Sequence, residues 1–225
     1  MKPAYERFYN KRVKRFLDIL LSLLLLPFAI PMYIIIGMII ISDDGLPVFY
    51  CPLRGGLHNK PFHIFKFRTM VKNADKIGGG TTALNDNRIT RVGRVLRKTK
   101  LDETANLINI LIGTMSFIGP RPELIQYTKK YEGREKEILM VRPGVTDFSS
   151  MEFINLDEKV GSDNADEMYE KHVLKKKNRL RIKYAENVNF RTDVYIFLLT
   201  VSKILKKIRF FKLAGKRVNT EQEIK

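Results

Sequence analysis

From Phe16 to Ile41 the chain reads FLDILLSLLLLPFAIPMYIIIGMIII, an apolar run interrupted by one charge, Asp18. It is too long and too apolar for the core helix of a soluble protein, so the first constraint is a helix that seeks a bilayer. A secretory signal peptide does not fit, because its apolar region is about 7 to 15 residues and ends in a small-residue cleavage site. Pro27 and Pro31 stand near the middle of the run. Each removes a backbone donor and presses on the preceding turn, which predicts a bend or break there.

Lys2, Arg7, Lys11, Arg12, Lys14 and Arg15 precede the run against Glu6, a net charge of +5, and the chain after Ile41 has 35 basic and 22 acidic residues, a net +13. Basic flanks favour the cytoplasmic side, although a long following domain weakens that rule. Two topologies stay open on these residues: a plain single span, and a helix that enters the inner leaflet, breaks at the prolines and returns. A carboxylate deep in lipid is costly, so Asp18 is expected to meet the basic cluster or interfacial water.

The 225 residues suffice for one domain with a core plus an appendage. A net charge of +17 implies an anionic partner: nucleic acid, an acidic membrane surface or phosphate-bearing substrates. A single cysteine, Cys51, rules out a disulfide framework and reads as a small packed residue. His58, His63 and His172 have no zinc-binding spacing. A reducing, cytosol-facing location fits best.

The organisation reads as a basic N-terminus and membrane helix (1–46), a region of short strands and helices ending in an amphipathic helix (47–212) and a polar tail (213–225). LPVFYCPLRGGLHNKPFHIFKFRTM, from Leu46, predicts short strands around a Gly55-Gly56 turn. IGGGTTALNDN (77–87) reads as a loop, and lacks the Gly-Lys-Ser/Thr ending of a phosphate-binding P-loop. In RITRVGRVLRKTK (88–100), Ile89, Val92, Val95 and Leu96 fall at helical spacing and leave the basic residues on other faces. That helix is either a solvated basic face or an interfacial helix against acidic headgroups. The acidic stretch 156–168 reads as a loop, and DVYIFLLTVSKILKKIRFFK (193–212) as an amphipathic helix too short for a span.

TKLDETANL (99–107) puts Asp102 and Glu103 side by side where a helix begins, with Thr99 as its expected cap. Acidic residues there complement the helix dipole, which is one complete account of the pair. In MSFIGPRPE (115–123), Pro120 and Pro122 hold the chain extended around Arg121, and Arg142 precedes Pro143-Gly144. A rigidly presented guanidinium suits a phosphate.

In this order, KRFLD (14–18), the proline-interrupted run, PFHIFKFRTM (61–70), ITRVGRVLRKTKLDE (89–103), MSFIGPRPE and VRPGVT (141–146) make the chain resemble the bacterial sugar transferase family in its short form. These are polyprenyl-phosphate phosphoglycosyl transferases. The resemblance implies an α+β, mainly helical fold: a membrane re-entrant helix, amphipathic interfacial helices and a small cytosolic catalytic domain, which makes 47–212 the catalytic part. It implies transfer of a sugar 1-phosphate from a UDP-sugar to undecaprenyl phosphate with release of UMP, at the cytoplasmic face of the bacterial inner membrane, and contact with anionic membrane lipids. The glycans so begun are capsule, O-antigen or exopolysaccharide.

On that resemblance Asp102 is the nucleophile that forms a covalent aspartyl phosphosugar. Glu103, with Asp102, is placed to hold Mg2+, which prefers oxygen ligands and needs few of them from protein. Arg97 and Arg121 match phosphate-contacting positions, Arg142 is a weaker candidate, and Lys66 and Arg68 fit either phosphate binding or support of the fold. A homo-oligomer is allowed but not specified. The chain departs from the family pattern at Thr114, at Ile30 before Pro31, and at Asp147, where a glycine is usual. These leave the sugar open. The rival is a non-catalytic basic membrane protein binding anionic lipid or nucleic acid, supported by charge alone, and no nucleic-acid motif accompanies it.

Overall fold

The computed structural model describes residues 2–74, 86–153 and 169–222. The acidic stretch 156–168, and the 77–87 segment apart from Asp86 and Asn87, lie outside the described residues. The described chain is mostly helical with small sheets and one long apolar N-terminal helix.

That helix, α1 (Lys14–Asp44), follows a π-helical turn at Tyr9–Val13. Pro27 and Pro31 lie inside it and do not end it. One face is buried: Lys14, Asp18, Ser22, Ala29, Ile36 and Ile40 recur at intervals of four and seven, the spacing of a single helical stripe. The opposite face, with Leu20, Leu24, Phe28, Ile34, Ile35 and Met38, is more than half exposed. An apolar face of this extent needs a non-aqueous neighbour.

Four short strands follow: β1 (Phe49–Tyr50), β2 (Leu53–Gly55), β3 (Pro61–His63) and β4 (Lys66–Phe67). β2 pairs antiparallel with β3 across the expected glycine turn, with Gly55 opposite Pro61, and β1 pairs with β4. Helix α2 (Arg91–Thr99) is capped by the Thr90 side chain, which accepts from Gly93 N at 2.9 Å. Its Leu96 joins Ile36, Ile40, Phe67 and Ala105 in a cluster that fastens the second half of α1 to the domain. Val95, expected on the packed face, is instead 60% exposed beside Arg91, Arg94 and Lys98.

A 3-10 turn (Leu101–Ala105) and helix α3 (Asn106–Ile112) come next. Strand β5 (Ser116–Ile118) pairs in parallel with β6 (Gly144–Thr146), Ser116 opposite Gly144. Short helices α4 (Ile125–Thr128) and α5 (Phe148–Glu152) flank that pair. Helix α6 (Lys175–Glu186) follows, then α7 (Phe190–Gln222), which runs on into the segment read from sequence as a polar tail.

Ion pairing ties the first element to the last. Asp193 of α7 takes Lys14 Nζ at 2.5 Å and the hydroxyls of Tyr9 and Tyr184 at 2.7 Å each. Asp18, with Lys14 of the basic cluster acting on it, accepts from Ser116 Oγ at 3.0 Å and Phe117 N at 3.2 Å. Arg15 donates to the carbonyls of Ile110 and Leu111 at 2.5 and 2.8 Å, closing the C-terminus of α3. The Lys-Arg-x-x-Asp signature is thus a set of clasps between the membrane helix and the domain.

Candidate active site

Thr99 does not cap the helix that follows it. It is the last residue of α2, and its hydroxyl bonds back to the carbonyl of Val95 at 2.8 Å. Lys100 then takes a left-handed conformation, φ 59°, ending α2 and starting the 3-10 turn. Successive residues of a 3-10 turn point about 120° apart, so adjacent carboxylates face different surroundings.

Asp102 is buried, and its Oδ1 has no hydrogen-bond partner. Burial, with the neighbouring Glu103 charge, pushes its carboxyl above the usual carboxylate range, opposed by Lys66, Lys100 and Arg97. Glu103 points at cations: Lys66 Nζ lies 3.0 Å from its Oε1, and Arg121 pairs with the same oxygen. Burial works against that charge, but Arg121 and Lys66 outweigh it and hold Glu103 well below the usual range. Glu103 in turn keeps Arg121 firmly protonated. Two adjacent carboxylates are therefore driven apart, one readily protonated and one fixed as an anion.

Each partner is held by the backbone around it. Asn109, fully buried on α3, accepts from Phe65 N at 2.8 Å and donates to His63 O at 2.8 Å, so the strand carrying Lys66 is pinned to the helix behind the pair. Tyr33 of α1 donates to Thr104 O at 2.5 Å, fastening the 3-10 turn to the membrane helix. Arg97 Nε donates to Thr69 Oγ1 at 2.8 Å. That contact requires α2 to lie against the Thr69 backbone, and only glycine allows it: a Cβ on Gly93 would stand 2.0 Å from Thr69 O. Arg121 N is held by Asp147, whose carboxylate also caps α5 through Ser150 N at 2.6 Å.

Of the residues singled out from sequence, Asp102, Glu103, Lys66, Arg97 and Arg121 come together. Arg68 and Arg142 do not join them. Arg68 is buried and donates to the carbonyls of Asp44 and Gly45 at 3.0 and 2.6 Å, so it closes the C-terminus of α1. Arg142 Nε donates to Gly113 O at 3.2 Å, at the far end of α3 from the pair. Burial and the nearby Arg15 lower its affinity for its proton. Asn109, Tyr33, Gly93 and Asp193 were not singled out. Their signal is spatial, since Asn109 acts on residues more than forty positions away.

The fold and this site, an apolar helix clasped to a small domain that presents two unlike carboxylates and several cations, describe a protein with a membrane-seeking helix and a charged candidate site. The chain belongs to the bacterial sugar transferase family, whose sequence profile matches residues 9–207. It is 32% identical over 193 residues to the uncharacterized sugar transferase EpsL of Bacillus subtilis, covering 86% of this chain and 87% of that one. It is 35% identical over 143 residues to the UDP-N-acetylgalactosamine-undecaprenyl-phosphate N-acetylgalactosaminephosphotransferase of Aeromonas hydrophila, covering 62% of this chain and 34% of that one. With the UDP-glucose:undecaprenyl-phosphate glucose-1-phosphate transferase of Klebsiella pneumoniae it is 35% identical over 142 residues, 61% of this chain and 30% of that one. The chain thus spans about a third of the length of these two larger relatives.

Proposed function

We propose that this transferase moves a sugar 1-phosphate from a UDP-sugar to undecaprenyl phosphate and releases UMP, at the cytoplasmic face of the bacterial inner membrane. The observation that carries the reading is the split pair: Asp102 with an unengaged buried oxygen, beside Glu103 locked to Lys66 and Arg121. Relatives named for this reaction support the substrates.

In the first step an Asp102 oxygen attacks the β-phosphorus, the bond from that phosphorus to the bridging oxygen breaks, and UMP leaves with the bond's electrons. In the second, a phosphate oxygen of undecaprenyl phosphate attacks the same phosphorus, and the Asp102 carboxylate is the leaving group. Burial strips water from Asp102, which makes the ionised form reactive. Arg97 and Lys66 favour that ionised form, and Arg121 adds charge where the diphosphate lies.

The residues fit a magnesium ion. Asp102 Oδ1 lacks a hydrogen-bond partner, and among the described residues both hydrogen bonds to Glu103 fall on Oε1. Among the described residues no group of three or more His, Cys, Asp or Glu gathers for a metal, which suits an ion held mainly by substrate phosphate and water. When bound, it would screen the charge of the diphosphate.

A re-entrant path for α1 is part of the reading. It is supported by bonds at both ends to one domain: Arg15 and Asp18 near the start, Asp44 and Gly45 through Arg68 at the end. The exposed Arg91, Arg94, Val95 and Lys98 face of α2, next to the end of α1 through Asp43 and Val92 N at 3.2 Å, suits anionic headgroups.

The test is nucleotide release by nanodisc-embedded protein given magnesium, undecaprenyl phosphate and a panel of UDP-sugars, with Asp102→Asn alongside. UMP from one sugar, lost in the variant, is expected, together with labelled sugar trapped on Asp102. UDP instead of UMP, or an active Asp102→Asn protein, overturns the mechanism.

A further inference from the structure

Helix α6 turns two cations, Lys177 and Arg181, toward the Pro120–Glu123 segment that presents Arg121. One turn separates them, so they share a face. Arg181 pairs with Glu123: NH1 reaches Glu123 Oε2 at 3.2 Å and Asn178 Oδ1 at 3.1 Å, and its Nε lies 4.0 Å from Asp147 Oδ2. Lys177 has no direct ion-pair partner among the described residues, although Glu123 and Asp147 act on it from farther away. Its ammonium is 4.7 Å from the centre of the Tyr169 ring, 5.8 Å from that of Phe153, and 3.3 Å from the Tyr169 hydroxyl. Among the described residues it has no carboxylate within 4.0 Å, and Glu123 is already taken by Arg181 and by Tyr169, whose hydroxyl lies 2.5 Å from it.

The charged groups acting on Lys177 are Glu123 and Arg121 from the Pro120–Glu123 segment, Asp147 from the cap of α5 and Arg181 from its own helix. Glu103 is shared by Arg121 and Lys66, and Glu123 by Arg181, Lys177 and Arg54, so even with Asp147 the cations outnumber the carboxylates next to the proposed diphosphate site. The two rings and the Tyr169 hydroxyl offset part of the desolvation of the ammonium, and an anion that reaches it would offset more. Burial, with Arg181 and Arg121 adding to it against Glu123, lowers Lys177 to about 8.

We infer that Lys177 is a phosphate-binding residue of the transferase site, its charge completed by a substrate phosphate held between it and Arg121. This rests on the reading of the site given above, and the phosphate could be that of the nucleotide or of the polyprenyl acceptor. In the free protein Lys177 sheds its proton above about pH 8, and a bound phosphate dianion restores it. Phosphate binding therefore takes up a proton in that range, and affinity falls as pH rises beyond it.

The experiment is calorimetric titration of nanodisc-embedded full-length protein with UMP and, separately, with a short-chain polyprenyl phosphate. It runs from pH 7 to 9.5 in buffers of different ionisation enthalpy, for wild type, Lys177→Met and Lys177→Arg, with thermal unfolding as the control for folding. Loss of one charge-assisted contact is expected to weaken one ligand about tenfold or more in Lys177→Met. Weakened UMP binding assigns the nucleotide phosphate, and weakened lipid binding the acceptor. Lys177→Arg, which stays charged, should bind well at pH 9 without proton uptake. Wild type that binds neither ligand, equal affinities in wild type and Lys177→Met, or proton uptake that persists in Lys177→Arg overturns the inference. Binding that depends on Lys177 in a protein releasing no UMP would leave this site standing and remove the reaction.

Discussion

At the scale of the residue, the site depends on one carboxylate being hard to ionise and its neighbour being hard to protonate. The raised Asp102 retains its proton above the ordinary value of 3.8, so the acid limb of turnover is expected above the usual carboxylate range. Lys66 opposes that shift, so Lys66→Met should move the limb to higher pH and Lys66→Arg should leave it close to wild type. A pH profile of kcat/KM for the UDP-sugar reads this directly. The same raised value has a cost in stability. A folded carboxyl that prefers its proton loses stabilisation as pH rises through 3.8 toward the folded value, so at pH 7 ionised Asp102 destabilises the fold. Asp102→Asn is therefore expected to keep or raise the thermal midpoint at pH 7 while turnover falls by roughly a thousandfold or more. A lowered midpoint would mean that the carboxylate is a structural anchor.

At the scale of the element, two helices are set by contacts that tolerate little change. Gly93 lets α2 touch the Thr69 backbone, and that contact aims Arg97. Gly93→Ala should cost about 1–3 kcal/mol from overpacking, read as a lower thermal midpoint, and should reduce kcat as Arg97 moves. Arg68 closes α1, so Arg68→Met leaves the Asp44 and Gly45 carbonyls without their donor. A loss of about 1.5–3 kcal/mol is expected, with the donor KM little changed, because Arg68 stands away from the carboxylate pair. What the sequence disclosed follows from the same contacts. The apolar run, the short strands around Gly55-Gly56 and the cluster of Asp102, Glu103, Arg97 and Arg121 are local or motif-borne, and could be read. The end of α2 could not, because Thr99 is as good a cap as a last-turn residue, and the left-handed Lys100 carries no glycine to announce it. Lys66 and Arg68 are two positions apart and chemically alike, so only the packing of β4 and α1 separates a site residue from a helix cap. Lys14 with Asp193, 179 positions apart, is invisible to any local pattern.

At the scale of the whole molecule, the question is which side of the bilayer each end of α1 occupies. A straight helix of 31 residues is about 46 Å long at 1.5 Å per residue, enough to cross a bilayer. Yet its buried stripe runs from Lys14 to Ile40, and the domain bonds it at Arg15, Asp18, Tyr33 and Asp44. If α1 crossed, one small domain would have to reach both aqueous faces, placing Phe117 N, bonded to Asp18, and Arg68, bonded to Asp44, at opposite membrane surfaces. Entry and return on one side avoids that, with the apolar outer face of α1 lying in the inner leaflet and the exposed Tyr195, Leu198 and Leu205 of α7 free to join it. In a Cys51→Ser background, Glu6→Cys and Asn59→Cys report the two flanks of the helix. Both should react with a membrane-impermeant maleimide in inverted vesicles, and neither in right-side-out cells. Labelling of the two sites from opposite sides would establish a span and break the topology proposed here, while leaving the carboxylate chemistry to be judged by UMP release alone.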